Sequence, residues 1–269
     1  MMTTGFKPVT NIDFLMTTCY KDSMALRIVF FDCDGTLTTV KSSWQYIHER
    51  LGMWDRNADE FQRLFRAGEI DYLEFCRRDA LLWKGMTEKR VLEIIEEIPY
   101  HDGVRETMQT LRSEGVLTVL LSTGLSFLVE RVKQELGMTL AVANELVVEN
   151  GVLTGDIRIN VAHDTGRPVC EGPGGAGDGA SCAAVADTHS PASGGLRHKG
   201  HWVKKILGER GLRKEESAAV GDGEGDLGMF EEAGVAIGYH PSAKVLPFLD
   251  HALYNDSFKE VFEVLRAHG

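Results

Sequence analysis

The sequence predicts an α/β protein: a mainly parallel, Rossmann-like sheet with helices on both faces, interrupted after its first strand by a small helical segment. Three observations predict it. Arg27 to Phe31 is a β-branched and aromatic run ending at Asp32, the mark of a buried strand with polar residues at its carboxyl end. From Trp44 to Glu97 the apolar spacing becomes helical. Beyond Pro99, short apolar runs alternate with helical patterns, the order that builds a parallel sheet.

In the helical segment the apolar positions are Trp44, Ile47, Leu51; Phe61, Leu64, Phe65; Leu73, Phe75, Leu81; and Val91, Ile94, Ile95. Gly52, Gly68 and Gly85 break them into four helices. There follow a helix over Val104–Glu114, a strand over Leu117–Leu121, a helix over Phe127–Leu136 and a strand over Leu140–Ala143. Leu146–Glu149 and Val152–Ile159 flank Asn150-Gly151, a hairpin signal because both turn positions want φ > 0. A helical run at Trp202–Leu207 precedes strands at Ser217–Val220 and Val235–Ile237, with a helix over Leu227–Ala233 between them. A short strand near Ala252–Tyr254 and a helix over Phe258–Ala267 close the chain. Residues 1–23 read as a tail, with Met24 an alternative start. Between Gly166 and Gly195, twenty of thirty residues are Gly, Ala, Ser or Pro, too few large apolar groups to offset the entropy of ordering. Residues 166–197 are therefore expected to be a flexible insertion in the core formed by 24–40 and 98–269.

At 269 residues, 43% hydrophobic and 26% charged, the chain suits one large or two small globular domains and excludes a membrane bundle. Its net charge of -11 repels nucleic acid and anionic lipid, so neither is an expected partner. Five cysteines without a CxxC spacing offer neither a disulfide framework nor a zinc knuckle, which makes a reducing cytoplasm the expected location. Monomer and homodimer both remain open.

Chemistry concentrates at four places. Asp32-Cys33-Asp34-Gly35-Thr36 puts two carboxylates and a turn-permitting glycine directly after the first strand. Gly221-Asp222-Gly223-Glu224-Gly225-Asp226 does the same after a later one. Neither is a helix-flanked calcium loop, since the twelfth positions are Ser43 and Ala233 where a glutamate is required. Together they point to one shared Mg²⁺ site, because the donors are hard oxygens and no Cys/His set accompanies them. Between them, Ser122-Thr123-Gly124 ends a strand and enters a helix, presenting a hydroxyl and free backbone N–H groups to an anion. Lys199 lies 23 residues before Asp222. Taken singly, each acidic cluster also reads as a solvated turn, Ser122 as a plain helix cap, and Lys199 as a surface charge.

In order and spacing these pieces resemble the haloacid dehalogenase superfamily, and within it the phosphoserine phosphatase branch. The resemblance runs from about Ala25 to the carboxyl end and rests on DxDGT, Ser-x-Gly, Lys and GDGxxD. It implies that residues 41–97 form a helical cap and that the substrate is a small phosphorylated metabolite. It further implies Asp32 as nucleophile and Asp34 as acid/base, with Ser122, Thr123, Gly124 and Lys199 on the phosphate. Asp32, the Asp34 carbonyl and Asp222 would hold Mg²⁺, supported by Asp226. The expected activity is a phosphomonoesterase working through an aspartyl-phosphate; transfer to an alcohol acceptor, or a non-enzymatic interaction protein on the same fold, are the alternatives. A dehalogenase fits less well, because the second Asp is present.

Four positions depart from that branch. Lys41 stands where a glutamate pairs with the substrate ammonium, Asp79 where an arginine meets its carboxylate, Gly225 for an asparagine and Thr123 for a glycine. A lysine repels an ammonium group, so the substrate is expected to carry an anion or no ammonium facing Lys41, unless Lys41 touches only solvent. Other signals carry less. The GxGxxG at 172–177 lacks a preceding strand. His198 and His201 lack a third metal ligand and are expected to face solvent. Trp44, Trp54 and Trp83 are expected to pack the cap, with Trp54 near the entrance as an alternative. The acidic face at Glu93, Glu96 and Glu97 reads as solvated.

Overall fold

The computed structural model describes residues 26–163 and 197–268. The expected tail at 1–23, the GxGxxG stretch, and the 166–197 insertion apart from Arg197 lie outside the described residues.

Strand β1 (Ile28–Phe31) is buried along its whole length. Val29 and Phe31 enter one apolar cluster while Ile28 and Phe30 enter the other, which is why this strand shows no polar alternation. It is flanked in parallel register by β2 (Leu117–Leu125) and β5 (Ser217–Gly221), with Phe31 opposite both Leu120 and Val220. The sheet continues through β3 (Leu140–Glu149) to β4 (Val152–Arg158) on one side, and through β6 (Val235–Tyr239) to β7 (His251–Leu253) on the other. The order is β4-β3-β2-β1-β5-β6-β7, parallel except at β3–β4. Helices α5 (Val104–Ser113), α6 (Ser126–Leu136) and α9 (Lys259–Ala267) bury residues in the Val29/Phe31 cluster. Helices α7 (Lys199–Arg210) and α8 (Leu227–Glu232) cover the opposite face.

Two sequence expectations change. Leu140–Glu149 is one strand rather than two, because Asn144 pairs with Leu125 of β2 and the next residue, Glu145, pairs with Arg158 of β4, leaving no room for a turn. The Asn150-Gly151 hairpin then forms with φ of 51° and 75°. Likewise β2 runs on to Leu125, so Ser122 lies inside a strand rather than at a helix cap.

Between β1 and α5 lie α1 (Ser43–Arg50), a π-helical turn (Trp54–Ala58), α2 (Asp59–Ala67), α3 (Tyr72–Leu82) and α4 (Glu88–Glu96). Ser42, Asp71 and Thr87 cap α1, α3 and α4, each accepting a backbone N–H from its first turn. Trp44 stacks on Trp83 at 5.2 Å, and the Trp83 indole donates to Nδ1 of buried His48 at 3.2 Å. Nε2 of His48 faces Asp79 at 3.4 Å. Trp54 leans on His48 and is absent from the cavity wall described below. Glu93, Glu96 and Glu97 are exposed.

Candidate active site

Because β2, β1 and β5 are neighbours in register, the residues after them emerge side by side at the carboxyl edge of the sheet. The chain winds away in both directions from β1, and in open α/β sheets such a switch point opens a crevice. Here it is a cavity of about 1300 Å³ lined by Asp32, Asp34, Thr123, Gly124, Lys199, Asp222 and Asp226, with α2 and α3 forming the facing wall.

Two glycines make room for the acidic side chains, one between the two loops and one within the second. Gly35 has φ of 79°, and a Cβ on it would lie 2.6 Å from Asp222 Oδ2. A Cβ on Gly221 would lie 2.4 Å from Asp226 Oδ2. With both side chains absent, Asp32, Asp222 and Asp226 each offer an oxygen within 4.8 Å of the others. Oxygens bound to one Mg²⁺ at about 2.1 Å lie about 3.0 Å apart when adjacent and about 4.2 Å when opposite, so the cluster suits a hard divalent cation once it draws inward. Asp226 is the least available of the three. Its Oδ2 accepts the backbone N–H groups of Asp222 at 2.9 Å and Gly223 at 3.1 Å, and its Oδ1 takes the Lys199 ammonium at 2.6 Å.

Lys199, the first residue of α7, is only 2% exposed, and its Nζ also donates to Asp32 Oδ1. Burial alone would push that ammonium toward neutrality, but Asp226 and Asp32 outweigh it and hold the Lys199 pKa above the ordinary lysine value. Asp32 is pushed up by burial and by Asp226 and Asp222, against the pull of Lys199. Asp34 turns the other way, toward α1. Its Oδ2 accepts the Ser43 backbone N–H at 2.8 Å and the Ser43 hydroxyl at 2.7 Å, while Oδ1 is buried with no hydrogen-bond partner among the described residues. Burial raises its pKa and the Ser43 bonds partly offset the rise.

The other expected residues need correction. Ser122 is 1% exposed and lies behind the cavity wall, where its Oγ accepts the Gly124 N–H at 2.9 Å. That N–H is therefore engaged rather than free for an anion. Lys41 lines the cavity and does not touch solvent alone: its Nζ donates to Asp222 Oδ2 at 2.7 Å. Asp79, 1% exposed beside His48, is absent from the cavity wall. His198 lines the cavity, whereas His201 is exposed.

A sequence model of the haloacid dehalogenase-like hydrolases matches residues 29–231. The chain belongs to that family. This haloacid dehalogenase-like hydrolase is 26% identical over 256 residues to a phosphoserine phosphatase of Archaeoglobus fulgidus, an alignment covering 95% of the chain and 64% of that relative. It thus spans just under two thirds of that protein's length. A phosphoserine phosphatase of Methanocaldococcus jannaschii is 23% identical over 240 residues, covering 89% of the chain and 98% of the relative. A solved phospho-aspartyl intermediate analogue of phosphoserine phosphatase superposes with a TM-score of 0.69 at 23% identity, over 89% of this chain and 99% of that one. That likeness establishes the mainly parallel α/β fold.

The hydrolase carries further site residues that motif reading passed over. Ser43, which holds Asp34, reads in sequence as one of a serine pair opening α1. Asn144 holds the β3 end of the site: its Nδ2 lies 2.9 Å from Thr123 O, and its Oδ1 accepts the N–H groups of Asn160 and Val161 at 2.8 and 2.9 Å. The Tyr72 hydroxyl of α3 donates to the same Thr123 carbonyl at 2.8 Å. Arg66 and His163 also line the cavity. A lone Asn inside a strand and an Arg late in a helix carry no spacing signal, so only the fold brings them in.

Proposed function

We propose that this hydrolase is a Mg²⁺-dependent phosphomonoesterase acting on a small phosphorylated metabolite through an aspartyl-phosphate on Asp32. The observation that carries the reading is the clustering of Asp32, Asp222 and Asp226 within range of one cation, with the Lys199 ammonium between Asp32 and Asp226. The phosphoserine phosphatase relatives supply the reaction class by similarity.

Asp32 and Asp222 would hold Mg²⁺, with the Asp34 backbone carbonyl contributing from the same loop; when bound, the ion neutralises carboxylate charge and polarises the phosphoryl group. Asp32 then attacks phosphorus, the bond to the leaving oxygen breaks, and Asp34 donates its proton to that oxygen. The raised pKa of Asp34 and its Ser43 anchor suit it to carry and aim that proton. In the second half, water attacks phosphorus, Asp34 takes the water proton, and the Asp32 carboxylate leaves with inorganic phosphate released. Lys199 balances the charge on the transferring group, and Asp226 fixes the lysine. Thr123 and Gly124 border the phosphate from the wall, with Ser122 bracing them from behind.

The testing experiment is phosphate release from a panel of phosphomonoesters, phosphoserine included, with Mg²⁺ and with excess chelator. Release with Mg²⁺ only, together with an acyl phosphate that hydroxylamine traps, is expected; activity indifferent to chelator would overturn the reading. Added alcohols that divert phosphate from water would move the assignment to phosphotransfer.

Lys41 gives a separate expected result. Its ammonium occupies an oxygen that the cation needs, so Lys41→Ala should bind Mg²⁺ about 2- to 5-fold more tightly by calorimetry, the range of an exposed ion pair. Burial and Asp226 push Asp222 up to about 6, so in wild type Mg²⁺ affinity should fall as pH drops through that value and the carboxylate protonates. Unaltered affinity in the variant would show that Lys41 does not compete.

A further inference from the structure

At about 1300 Å³ the cavity exceeds the roughly 300–1000 Å³ of ordinary small-molecule sites, and a phosphoryl group fills a small part of it. The charges around its wall are nearly all satisfied within the protein. Lys199 pairs with Asp32 and Asp226, Lys41 with Asp222, and Lys244 with Glu224 at 2.7 Å. On the facing wall, Glu69 takes Arg63 at 3.3 Å and Asp71 accepts the Glu74 N–H at 2.7 Å as the cap of α3. Arg66 is different. Of the lysines and arginines lining the cavity it alone has no ion pair, hydrogen bond or ring contact among the described residues.

Its backbone is nonetheless fixed. Arg66 sits in the last turn of α2 beside Phe65, whose ring stacks on Phe75 of α3 at 5.1 Å and 13° and meets Tyr72 at 5.8 Å. Phe65, Tyr72 and Phe75 also line the cavity, so the exposed Arg66 side chain springs from a helix packed by rings rather than from a loose loop. An arginine near a helix carboxyl end gains a little from the helix dipole, which accounts for its charge there but not for its place on this wall. A guanidinium offers five donors in a planar fork that matches a carboxylate or phosphate with two parallel bonds.

We propose that Arg66 binds a second anionic group, carboxylate or phosphate, on the leaving-group part of the substrate, and so selects phosphomonoesters whose leaving group is negatively charged. This rests on the phosphomonoesterase reading. Lys199 and the acidic cluster take the phosphoryl end, and Arg66 takes the far end across the cavity.

The test compares kcat/KM for 2-phosphoglycolate and a short alkane bisphosphate with that for neutral 2-hydroxyethyl phosphate, in wild type, Arg66→Ala and Arg66→Lys. Wild type should favour an anionic probe, and the two anionic probes tell carboxylate from phosphate. Arg66→Ala should lose about 10- to 100-fold more on the preferred anionic probe than on the neutral one, chiefly in KM, as for loss of a charged hydrogen bond. Arg66→Lys should recover part of the difference. Equal losses on all probes, or no wild-type preference, overturn the proposal while leaving the phosphatase intact. Calorimetric binding of the two anionic probes decides for Arg66 even without turnover: weaker binding of either to Arg66→Ala supports it, and equal dissociation constants for both overturn it. Absence of any turnover with Mg²⁺ would count against the phosphatase itself.

Discussion

Asp32→Asn is expected to lose at least about 10⁴-fold in phosphate release, because on the proposed mechanism the substitution removes the carboxylate that accepts the phosphoryl group. Uncatalysed phosphomonoester hydrolysis is among the slowest reactions enzymes accelerate, so no background route can replace the lost step. The asparagine keeps the shape of the side chain: its one oxygen can meet the Lys199 ammonium while its amide turns to the Thr36 hydroxyl, which lies 3.3 Å from Asp32 Oδ2 and can accept as well as donate. Fold and cavity should therefore survive, and circular dichroism should be unchanged. Hydroxylamine should trap nothing from the variant. Substantial turnover in Asp32→Asn, with the mutation verified by mass, would exclude an aspartyl-phosphate at this position.

Lys199→Ala should show a second large effect, in both rate and stability. The ammonium is sandwiched between two buried carboxylates, and removing one partner of a buried ion pair costs about 3–5 kcal/mol because the other charge stays behind. For a protein of this size about 2–4 °C of Tm accompanies each kcal/mol, giving a drop of about 6–20 °C in the metal-free protein. Turnover should fall about 10²- to 10³-fold, as when one preorganised donor to a transition state is lost. Adding Asp226→Asn should recover part of the Tm, since it removes the charge that Lys199 balanced, and the two substitutions should be non-additive. A Tm within a degree of wild type for Lys199→Ala would mean that the ammonium is not buried between these acids.

The sequence made the sheet legible because its signals are local. A β-branched run ending in Asp32, Asn150-Gly151 between two apolar runs, and helical spacing from Trp44 each state their own structure. The site residues with fixed spacing, Asp32, Asp34, Asp222 and Asp226, could be named for the same reason. What escaped depends on residues distant in the chain. Leu140–Glu149 is unbroken because each half has a different partner strand, and Ser122 is no helix cap because Asn144 opposite Leu125 extends β2. Lys41 reaches Asp222 across 181 residues, a contact no local pattern encodes. Spacing along the chain gives the position of Asp79 but not the direction of its side chain; its pairing with His48 turns it into the helical segment.

The Tyr72 hydroxyl and the Asn144 amide meet on one carbonyl, that of Thr123, so the roof of the cavity is latched to its floor at a residue of the cavity wall. Any breathing of α3 away from the sheet must either release this clasp or drag the β2 tip along with it. Admission of a new molecule and departure of the spent one are thereby tied to the positioning of Thr123, and a looser latch would quicken exchange at the expense of alignment.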